Sequence, residues 1–515
     1  MPFAAIRIFC HQVKMKCRCV FFPLLFSLTA CSTVHIKVTP PATPSATRQP
    51  LSHSIPSPSN TTAYNQKVRQ ALDFAALNGF RDSVQLGIGR SGSGTWDPSA
   101  FKEVVPAGDI SIQGISPRTA TSGVGVPVVL WAPKDSGVFA GQPGIPDAGL
   151  AFPATAILVN RSGIPCLEFR DTMKSDRAFL KGRERSLATD FSAPLAYAIA
   201  KGQNRTLDFN ALFDTKSHLA FSGLYQLQNY DPNKIPVVFV HGLLCRPEAW
   251  TAATNQLLAD PRIRKRYQFW YYRYPTGLPI WASAAKLRSE LDRFNATLDP
   301  RNSNPRMREK VLVGHSMGGL ISDLMIRRGG APLWGQFFRK DPNQIAVKSS
   351  TREKLRNFFN FEGRSDVAEV IFVATPHRGS PLAERNLAGF LAGLIKLPAL
   401  PLNTDIVEIR RTLRDSMRPF FNAPANGISC LKARSPILIS ILNLPMDRNI
   451  TYYSVIGDEG KVGPIDKSSD GVVPYWSSHL DGAASEKIVP SGHGVNEDRY
   501  GIAEIDRILN GIPAK

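Results

Sequence analysis

The pattern of hydrophobic and polar positions changes near residue 230. From there on, short and almost fully apolar runs recur, and helix-like segments such as 280–296 and 317–328 lie between several of them. The runs are PVVFVHG (236–242), FWYYRYP (269–275), VLVGH (311–315), EVIFVATP (369–376) and ITYYSVIGD (450–458). Apolar strands that alternate with helices are typical of a parallel sheet buried on both faces. Residues 231–515 are therefore predicted to form an α/β domain with a mostly parallel sheet flanked by helices.

Two segments of this domain are longer than ordinary connections between strands and helices. Residues 329–366 and 379–448 contain helical patterns and Pro-rich turns. Long insertions at the carboxyl ends of strands tend to cover sites, so both segments are predicted to be cap insertions. The apolar stretch GFLAGLIKLPALPL (389–402) is either an acyl-binding part of such a cap or a plain buried helix.

Residues 63–230 show a different pattern. Apolar residues at helical spacing predict one amphipathic helix over 63–80, and β-like runs follow at 124–133 and 154–163 between turns rich in Gly, Pro and Asp. The segment is therefore interpreted as an α+β N-terminal region. It carries no motif that indicates chemistry, and its role stays open.

The first 30 residues are predicted to be a secretory signal peptide. Lys16 and Arg18 precede the apolar stretch Val20–Phe26, which is too short to span a bilayer. The following LTAC (28–31) resembles the lipobox of bacterial lipoproteins, which implies cleavage before Cys31 and a lipid anchor on it. Ser32, in place of Asp, points in such signals to the outer membrane. The alternative is ordinary secretion, with no role for Cys31.

Residues 31–62 are rich in Pro, Ser and Thr and have no apolar period, which favours a semi-extended tether behind an anchor. The formal net charge of the chain is +20, and its basic residues are spread along the sequence. A solvated surface explains most of this charge, and attraction to a membrane surface is the alternative. Without zinc-ligand spacing, a basic run or an aromatic-rich signature, no nucleic-acid partner is expected.

The stretch VLVGHSMGGLI (311–321) joins an apolar strand, a glycine-rich turn and the start of a helix. A Gly-x-Ser-x-Gly match is weak by itself, because chance supplies it often. The strand before the turn and the helix after it form the setting in which a serine nucleophile is held at the top of a sheet. Ser316 is therefore the candidate nucleophile, beside a helix N-terminus that favours developing negative charge.

A serine nucleophile needs a general base, and His493 is the best-placed histidine. The segment EKIVPSGHGVNED (486–498) predicts a short strand, a loop of small residues that carries His493, and the start of the last helix. A histidine on such a loop can reach over the nucleophile. The other histidines lie in the leader, in the tether, ahead of the sheet, in turn motifs of their own or close to the candidate acid.

The base needs an orienting acid in turn. SSDGVVP (468–474) places Asp470 on a turn soon after the run 450–458, and the flanking Gly and Val-Val-Pro would pin this loop. Asp458, in IGDEG, is the alternative because it lies closer to the strand end. The neighbouring Glu459 favours a solvated turn there, so Asp470 is preferred as the acid.

Five motifs together resemble the α/β-hydrolase superfamily, in its bacterial esterase and lipase branch. They are VVFVHGLL, GHSMGGL, VATPHRGSPLA, SSDGVVP and SGHG, and the chain order Ser, Asp, His is that of the superfamily. The likeness covers roughly 230–515 and leaves the N-terminal region outside. It implies an α/β-hydrolase fold with Ser316 as nucleophile, His493 as base and Asp470 as orienting acid.

The same resemblance implies an oxyanion hole made by two backbone N–H groups. These belong to Leu243 in HGLL and to Met317, directly after the nucleophile, with Leu244 as the alternative to Leu243. His241 and Gly242 would shape this oxyanion loop without taking part in proton transfer.

The sequence thus predicts a serine esterase or lipase that cleaves ester or lipid substrates through an acyl-enzyme, without a cofactor or a metal. One alternative is an acyltransferase with the same triad, and another is a non-catalytic envelope lipoprotein that uses the fold as a scaffold. No calcium loop is recognisable near Asp470. The expected location is the bacterial cell envelope, as an outer-membrane lipoprotein that faces the periplasm or the exterior.

Overall fold

The computed structural model describes residues 37–39, 54–90, 94–203, 222–382, 405–418, 430–447, 449–460 and 463–513. The predicted signal peptide (1–30), the predicted anchor at Cys31 and the apolar stretch 389–402 lie outside these residues, as does most of the predicted tether. Within the part of the chain that the structure describes, no helix is long and apolar enough to cross a membrane.

The N-terminal region, residues 54–203, is built on a sheet whose strands run mostly antiparallel. Its strands are β2 (Gly87–Ile88), β3 (Thr95–Trp96), β4 (Glu103–Pro106), β5 (Ser111–Gln113), β6 (Ala120–Thr121), β7 (Val126–Ala132), β8 (Leu150–Arg161), β9 (Ile164–Asp171), β10 (Arg177–Leu180), β11 (Arg183–Ser186) and β12 (Thr189–Asp190). A further strand, β1 (Lys37–Thr39), precedes this region and pairs with β5. The largest sheet among them has the order β2-β9-β8-β7-β4, with β3 also paired to β9. The runs predicted at 124–133 and 154–163 correspond to β7 and β8.

Two helices accompany this sheet, α1 (Thr61–Leu77) and α2 (Ser192–Gln203). The helix predicted over 63–80 corresponds to α1, which begins after Asn60 because the side chain of Asn60 accepts a hydrogen bond from the Ala63 N–H at 3.2 Å. Its buried residues recur at helical spacing and pack on the sheet. The buried Tyr64 hydroxyl donates to the Leu158 carbonyl at 2.7 Å and accepts from the Leu158 N–H at 2.9 Å, which fixes α1 on β8.

The C-terminal region, residues 222–513, is built on a second sheet. Its strands are β13 (Gly223–Gln226), β14 (Ile235–Val240), β15 (Tyr267–Arg273), β16 (Lys310–His315), β17 (Val367–Val373), β18 (Thr451–Gly457) and β19 (Ser485–Val489). Among the described residues the order of this sheet is β13-β15-β14-β16-β17-β18-β19. All neighbours are parallel except β13, which pairs antiparallel with β15 at the edge. The five apolar runs of the sequence correspond to β14 to β18, so the prediction of a mixed α/β region is confirmed.

The helices of this region are α3 (Thr251–Leu257), α4 (Pro261–Arg266), α5 (Ile280–Leu298), α6 (Met317–Ile326), α7 (Ala331–Phe337), α8 (Ser349–Phe359), α9 (Ile406–Thr412), α10 (Pro436–Leu442), α11 (Tyr475–Ser478) and α12 (Arg499–Gly511). Alternate residues of β14 enter two different cores, with Val238 and Val240 on the side of α5 and α6. Val237 and Phe239 lie on the side of α3 and α12. Both faces of the sheet are therefore buried, which explains the almost fully apolar strands. Helices α7 to α10 lie in the two long segments, whose role as a cap stays a prediction.

The N-terminal region contacts the second sheet at its edge. The Gln226 N–H of β13 donates to the Gly144 carbonyl at 2.9 Å, and the Gln226 side chain donates to the Pro143 carbonyl at 2.7 Å. Gly144 has a φ of +70°, and a Cβ on it would lie 2.3 Å from Cζ of Phe294 on α5 and 2.5 Å from the Leu224 carbonyl. Only glycine fits there, so the loop packs directly against the edge strand.

A second contact between the two regions is polar and buried. Asn255 on α3 is fully buried; its side chain accepts from the Ser192 hydroxyl at 2.6 Å and donates to the Pro117 carbonyl at 2.8 Å. The Asn255 carbonyl accepts from the Thr119 hydroxyl at 3.2 Å. Since a buried amide is costly without partners, these bonds hold α3 against the N-terminal region.

Candidate active site

Ser316 lies on a strained turn between β16 and α6. Its backbone has φ 53° and ψ −123°, a conformation that is unfavourable for any residue with a Cβ. Two backbone bonds hold it there: the Ser316 N–H donates to the Val373 carbonyl at 2.9 Å, and the Ser316 carbonyl accepts from the Gly319 N–H at 2.9 Å. The side chain therefore lies at the carboxyl edge of the sheet, beside the N-terminus of α6.

The glycines after the serine permit α6 to approach the sheet closely. A Cβ on Gly318 would lie 2.2 Å from the Val240 carbonyl oxygen of β14, and a Cβ on Gly319 would lie 1.9 Å from the Thr375 hydroxyl oxygen. Neither position has room for a side chain. The sequence Gly-Gly in GHSMGG is therefore required by packing.

His493 lies between Ser316 and Asp470. Its Nε2 is 3.0 Å from the Ser316 Oγ, and its Nδ1 is 2.7 Å from Oδ2 of Asp470. Because a carboxylate only accepts, the Nδ1 carries the hydrogen and the Nε2 lone pair accepts the Ser316 hydroxyl hydrogen. The side chains of His493 and Asp470 are 9% and 1% exposed, so the hydrogen-bonded chain is largely shielded from water. The structure thus brings together the three side chains that the sequence singled out.

Asp470 is held by its own turn. Its Oδ1 accepts from the N–H groups of Val472 at 2.9 Å and Val473 at 2.6 Å, while its Oδ2 faces His493. The alternative acid, Asp458, accepts instead from the Gly460 N–H at 3.1 Å at the end of β18. Of the two acids, Asp470 is therefore the one that the structure places at the histidine.

The loop after β17 holds the turn of Asp470. The Arg378 N–H donates to the Ser477 hydroxyl at 3.1 Å, and this hydroxyl donates to the Gly379 carbonyl at 2.6 Å. The Ser380 hydroxyl donates to the Val472 carbonyl, next to the amides that bind Asp470. The sequence identified this segment only as part of a resemblance and assigned it no task. Its position directly after a parallel strand, like that of Ser316, was the available signal.

The predicted oxyanion hole consists of two backbone N–H groups, those of Leu243 and Met317. Met317 is the first residue of α6, so its N–H has no carbonyl partner within the helix. Within the described residues, neither the Met317 N–H nor the Leu243 N–H has a hydrogen-bond acceptor. The Leu244 N–H, in contrast, donates to the Thr276 hydroxyl at 3.2 Å. Leu243 therefore has the available donor, and Leu244 does not.

His241 and Gly242 lie directly after β14, at the start of the loop that is predicted to supply the Leu243 N–H. The His241 ring stacks on Tyr274 with 4.4 Å between ring centroids, and the Tyr274 hydroxyl donates to the His241 carbonyl at 2.7 Å. Burial lowers the pKa of His241 to about 3, so the ring is neutral at ordinary pH. A Cβ on Gly242 would lie 3.1 Å from the Cβ of Ser316, so the loop passes closely over the serine. Tyr274 and Thr276 were missed by the sequence interpretation, although both directly follow an aromatic strand.

Across the described ranges, no three side chains of His, Cys, Asp or Glu are grouped so that they could hold a metal ion. The chemistry available at this place is that of the serine hydroxyl, the imidazole, the carboxylate and the backbone N–H groups. Cys31, the remaining predicted site residue, lies outside the described residues.

The chain is similar in structure to solved bacterial lipases and esterases. The mature lipase BlEst2 of Bacillus licheniformis matches with 16% identity and a TM-score of 0.33, over 55% of this chain and 95% of that one. The lipase of Staphylococcus hyicus matches with 15% identity and a TM-score of 0.34, over 55% and 96%. Lipase 1 of Pelosinus fermentans matches with 14% identity and a TM-score of 0.33, over 55% and 100%.

No protein-family model matches the chain, and no curated protein sequence matches it.

Proposed function

We propose that this protein is a serine hydrolase that cleaves carboxylic esters through an acyl-enzyme, with residues 231–515 as an α/β-hydrolase catalytic domain. One observation carries the proposal: the hydrogen-bonded chain from Ser316 through His493 to Asp470, on a strained turn beside backbone N–H groups that have no described acceptor. A serine in an ordinary glycine-rich turn would need neither the strain nor the partners.

In the first half of the reaction, the Ser316 oxygen attacks the ester carbonyl carbon while its hydrogen passes to Nε2 of His493. The resulting imidazolium is stabilised by Asp470, which accepts from Nδ1 and keeps the ring in the required tautomer. The tetrahedral oxyanion accepts hydrogen bonds from the N–H groups of Leu243 and Met317. His493 then returns the proton to the leaving alcohol as the C–O bond breaks, which leaves Ser316 acylated.

In the second half, water replaces the alcohol. His493 takes a proton from the water, the hydroxide oxygen attacks the acyl carbon, and the carboxylic acid departs as Ser316 regains its hydrogen. Every proton transfer uses the same nitrogen, Nε2, because Nδ1 is occupied by Asp470. The cycle needs neither a cofactor nor a metal.

The proposal extends to location, on the evidence of the sequence alone. The order of charged, apolar and small residues before Cys31 supports a lipoprotein that is anchored in the bacterial envelope, with residues 31–62 as its tether. Mass spectrometry of the mature N-terminal peptide tests this, because an acylated Cys31 would carry the added mass of the lipid and an unmodified Cys31 would contradict the anchor.

The test of the hydrolase proposal is a panel of p-nitrophenyl esters of increasing acyl length, combined with labelling by a fluorophosphonate. This reagent bonds to an activated serine oxygen and releases fluoride. We expect the wild-type chain to hydrolyse esters and to be labelled at Ser316, and Ser316→Ala to lose both. The matched control is Ser322→Ala, because Ser322 is a buried serine on the same helix whose hydroxyl donates only to the Gly318 carbonyl.

A folded wild-type chain that neither cleaves any ester of the panel nor reacts with the fluorophosphonate would refute the proposal. Product analysis with added acceptor alcohols separates the two uses of an acyl-enzyme. Free acid as the product supports hydrolysis, and a new ester as the main product would instead identify an acyltransferase.

A further inference from the structure

His315 precedes the candidate nucleophile and is not part of the Ser316–His493–Asp470 chain, yet it contacts the loops on both sides. It is the last residue of β16 and is 1% exposed. Its Nε2 lies 2.8 Å from the backbone carbonyl oxygen of His493. Its Nδ1 lies against the oxyanion loop, since a Cβ on Gly242 would be 3.0 Å from it.

The chemistry of the ring fixes its hydrogen. The His493 carbonyl only accepts, so the His315 Nε2 must carry the hydrogen and donate it. Burial and the neighbouring His493 lower the pKa of His315 to about 3, so the ring is neutral and has a single N–H. This N–H is used entirely for His493, and within the described residues Nδ1 has no hydrogen-bond partner.

The bond from His315 restrains a part of His493 that Asp470 does not. Asp470 holds the imidazole ring at Nδ1, whereas His315 holds the main chain from which the ring extends. The loop around His493 is made of small residues, SGHG, which by themselves give the main chain wide freedom. With both restraints in place, Nε2 of His493 stays at 3.0 Å from the Ser316 oxygen.

We propose that His315 is a positioning residue, which fixes the main chain of the general base relative to the nucleophile through its neutral Nε2–H group. The inference rests on the proposed function, since positioning matters only where Ser316 and His493 react. Because His315 is covalently bonded to Ser316, its hydrogen bond to the His493 carbonyl links the main chain of the base directly to the nucleophile. A displacement of about 1 Å between reacting groups costs up to ~100-fold in rate.

The test compares His315→Phe, which keeps a ring and removes the donor, with His315→Gln, whose side-chain amide N–H can reach the same carbonyl. We expect kcat for p-nitrophenyl ester hydrolysis to fall about 10- to 100-fold in the Phe variant, with KM nearly unchanged. The Gln variant should recover most of kcat. The control is His377→Phe, because His377 is also a buried histidine, on the loop after β17, and no described hydrogen bond joins it to His493; we expect it to keep kcat within about threefold.

A second readout does not depend on turnover. The Nδ1–H of His493, bonded to Asp470, gives a far-downfield proton resonance in NMR, and we expect this signal to weaken or broaden in the Phe variant and to persist in the Gln and His377→Phe variants. A Phe variant with wild-type kcat and an unchanged signal would overturn the proposal. So would a folded Gln variant that is as slow as the Phe variant. If the Phe variant fails to fold, the Gln variant tests the proposal: it should keep most of kcat and the NMR signal, and loss of both in a folded Gln variant would overturn the proposal.

The two proposals fail in distinguishable ways. If the wild-type chain cleaves no ester, the proposed function fails, while the NMR comparison still reports whether His315 holds His493 beside Asp470. If the wild-type chain cleaves esters and the Phe variant does so equally well, only the role of His315 is refuted.

Discussion

In the N-terminal region, neighbouring strands run mostly in opposite directions, whereas β14 to β19 of the C-terminal region all run the same way. An antiparallel sheet distributes its strand ends over two edges. A parallel sheet places every carboxyl end on one edge, so residues far apart in sequence meet there. Ser316 after β16 and His493 after β19 lie within hydrogen-bonding distance for this reason, although 177 residues separate them.

The two regions also differ in what their buried polar groups do. In the N-terminal region, groups such as the Tyr64 and Thr155 hydroxyls bind the backbone of the same region and fix its elements. In the C-terminal region, the N–H groups of Leu243 and Met317, on either side of Ser316, have no hydrogen-bond acceptor among the described residues. We therefore expect changes at the carboxyl edge of the second sheet to affect the proposed reaction, and changes at the Tyr64 and Thr155 hydroxyls to affect stability.

The largest expected effect is the difference in kcat between variants of two buried aspartates, Asp470 and Asp171, each of which accepts a hydrogen bond from the backbone of its own turn. Asp470→Asn removes the acceptor that orients His493, and we expect kcat for ester hydrolysis to fall about 10³- to 10⁴-fold. Asp171→Asn is the counterpart in the N-terminal region, where Oδ1 of Asp171 accepts from the Met173 N–H at 3.0 Å. We expect it to leave kcat unchanged. Steady-state kinetics measure both folded variants, and an equal loss of kcat in the two would contradict the proposed difference between the regions.

Acid should destabilise the C-terminal region first. His241, His315 and His377 are buried there, and burial lowers the pKa of each to about 3. Because their pKa in the unfolded chain is about 6.5, the unfolded state binds more protons between these values, and stability falls as pH decreases through this window. At pH 5 the loss is about 2 kcal/mol for each histidine. Burial raises the pKa of Asp171 in the N-terminal region and of Asp323 in the C-terminal region. Protonation of these two carboxylates at low pH therefore opposes the loss of stability in each region.

The measurement is urea unfolding at pH 7 and at pH 5, in which hydrogen exchange of individual peptides reports the loss of structure. Peptides of β14 to β17 should lose protection at lower urea at pH 5, before those of β7 to β9. In a His377→Gln variant, the difference in the free energy of unfolding between pH 7 and pH 5 should be smaller by about the contribution of one histidine. Loss of protection that starts in β7 to β9 would show that the buried histidines do not control acid stability.

Removing the polar contact between the regions should cost less than the active-site change. Asn255→Leu leaves the Ser192 hydroxyl and the Pro117 carbonyl without their buried partner, and we expect the free energy of unfolding to fall by about 2 to 4 kcal/mol. Gln256→Leu, on the half-exposed neighbouring position of α3, is the control and should change stability by less than about 1 kcal/mol. Denaturant unfolding measures both, and equal values would mean that the contact contributes little.

The smallest expected effect lies wholly within the N-terminal region. Tyr64→Phe removes the hydroxyl that bonds twice to Leu158, and we expect a loss of about 1 to 2 kcal/mol of stability. The kcat for esters should not change, because the hydroxyl acts only within this region. A decrease in kcat would show that α1 influences the active site and would weaken the separation between support and chemistry.

The fold was predictable where the sequence pattern is local. The run VLVGH at 311–315 became β16, Lys310–His315, because four apolar or small residues in a row suit a strand buried on both faces. Strand β13 was not foreseen, since GLYQ is too short to show a period and pairs antiparallel through contacts with β15. Such an edge strand is specified by its neighbours rather than by its own residues.

The same distinction applies to the site. Ser316, His493 and Asp470 were predictable because each lies on a turn with a recognisable local sequence. The restraints from Ser477, Ser380 and His315 were not predictable, because they act through backbone carbonyls whose positions depend on the folded chain. A hydrogen bond to a carbonyl leaves no signature in the sequence of its acceptor.

The contact of Gly144 with the edge strand has a consequence for how the chain can be divided. A shortened chain that starts at residue 222 would present β13 with an unpaired backbone edge, since the Gln226 N–H would lose the Gly144 carbonyl. Exposed edges of this kind recruit strands from other molecules. Such a shortened protein is expected to associate into aggregates rather than to work as a minimal enzyme, and light scattering would detect it. We therefore expect the N-terminal region to protect this edge strand from pairing with other molecules.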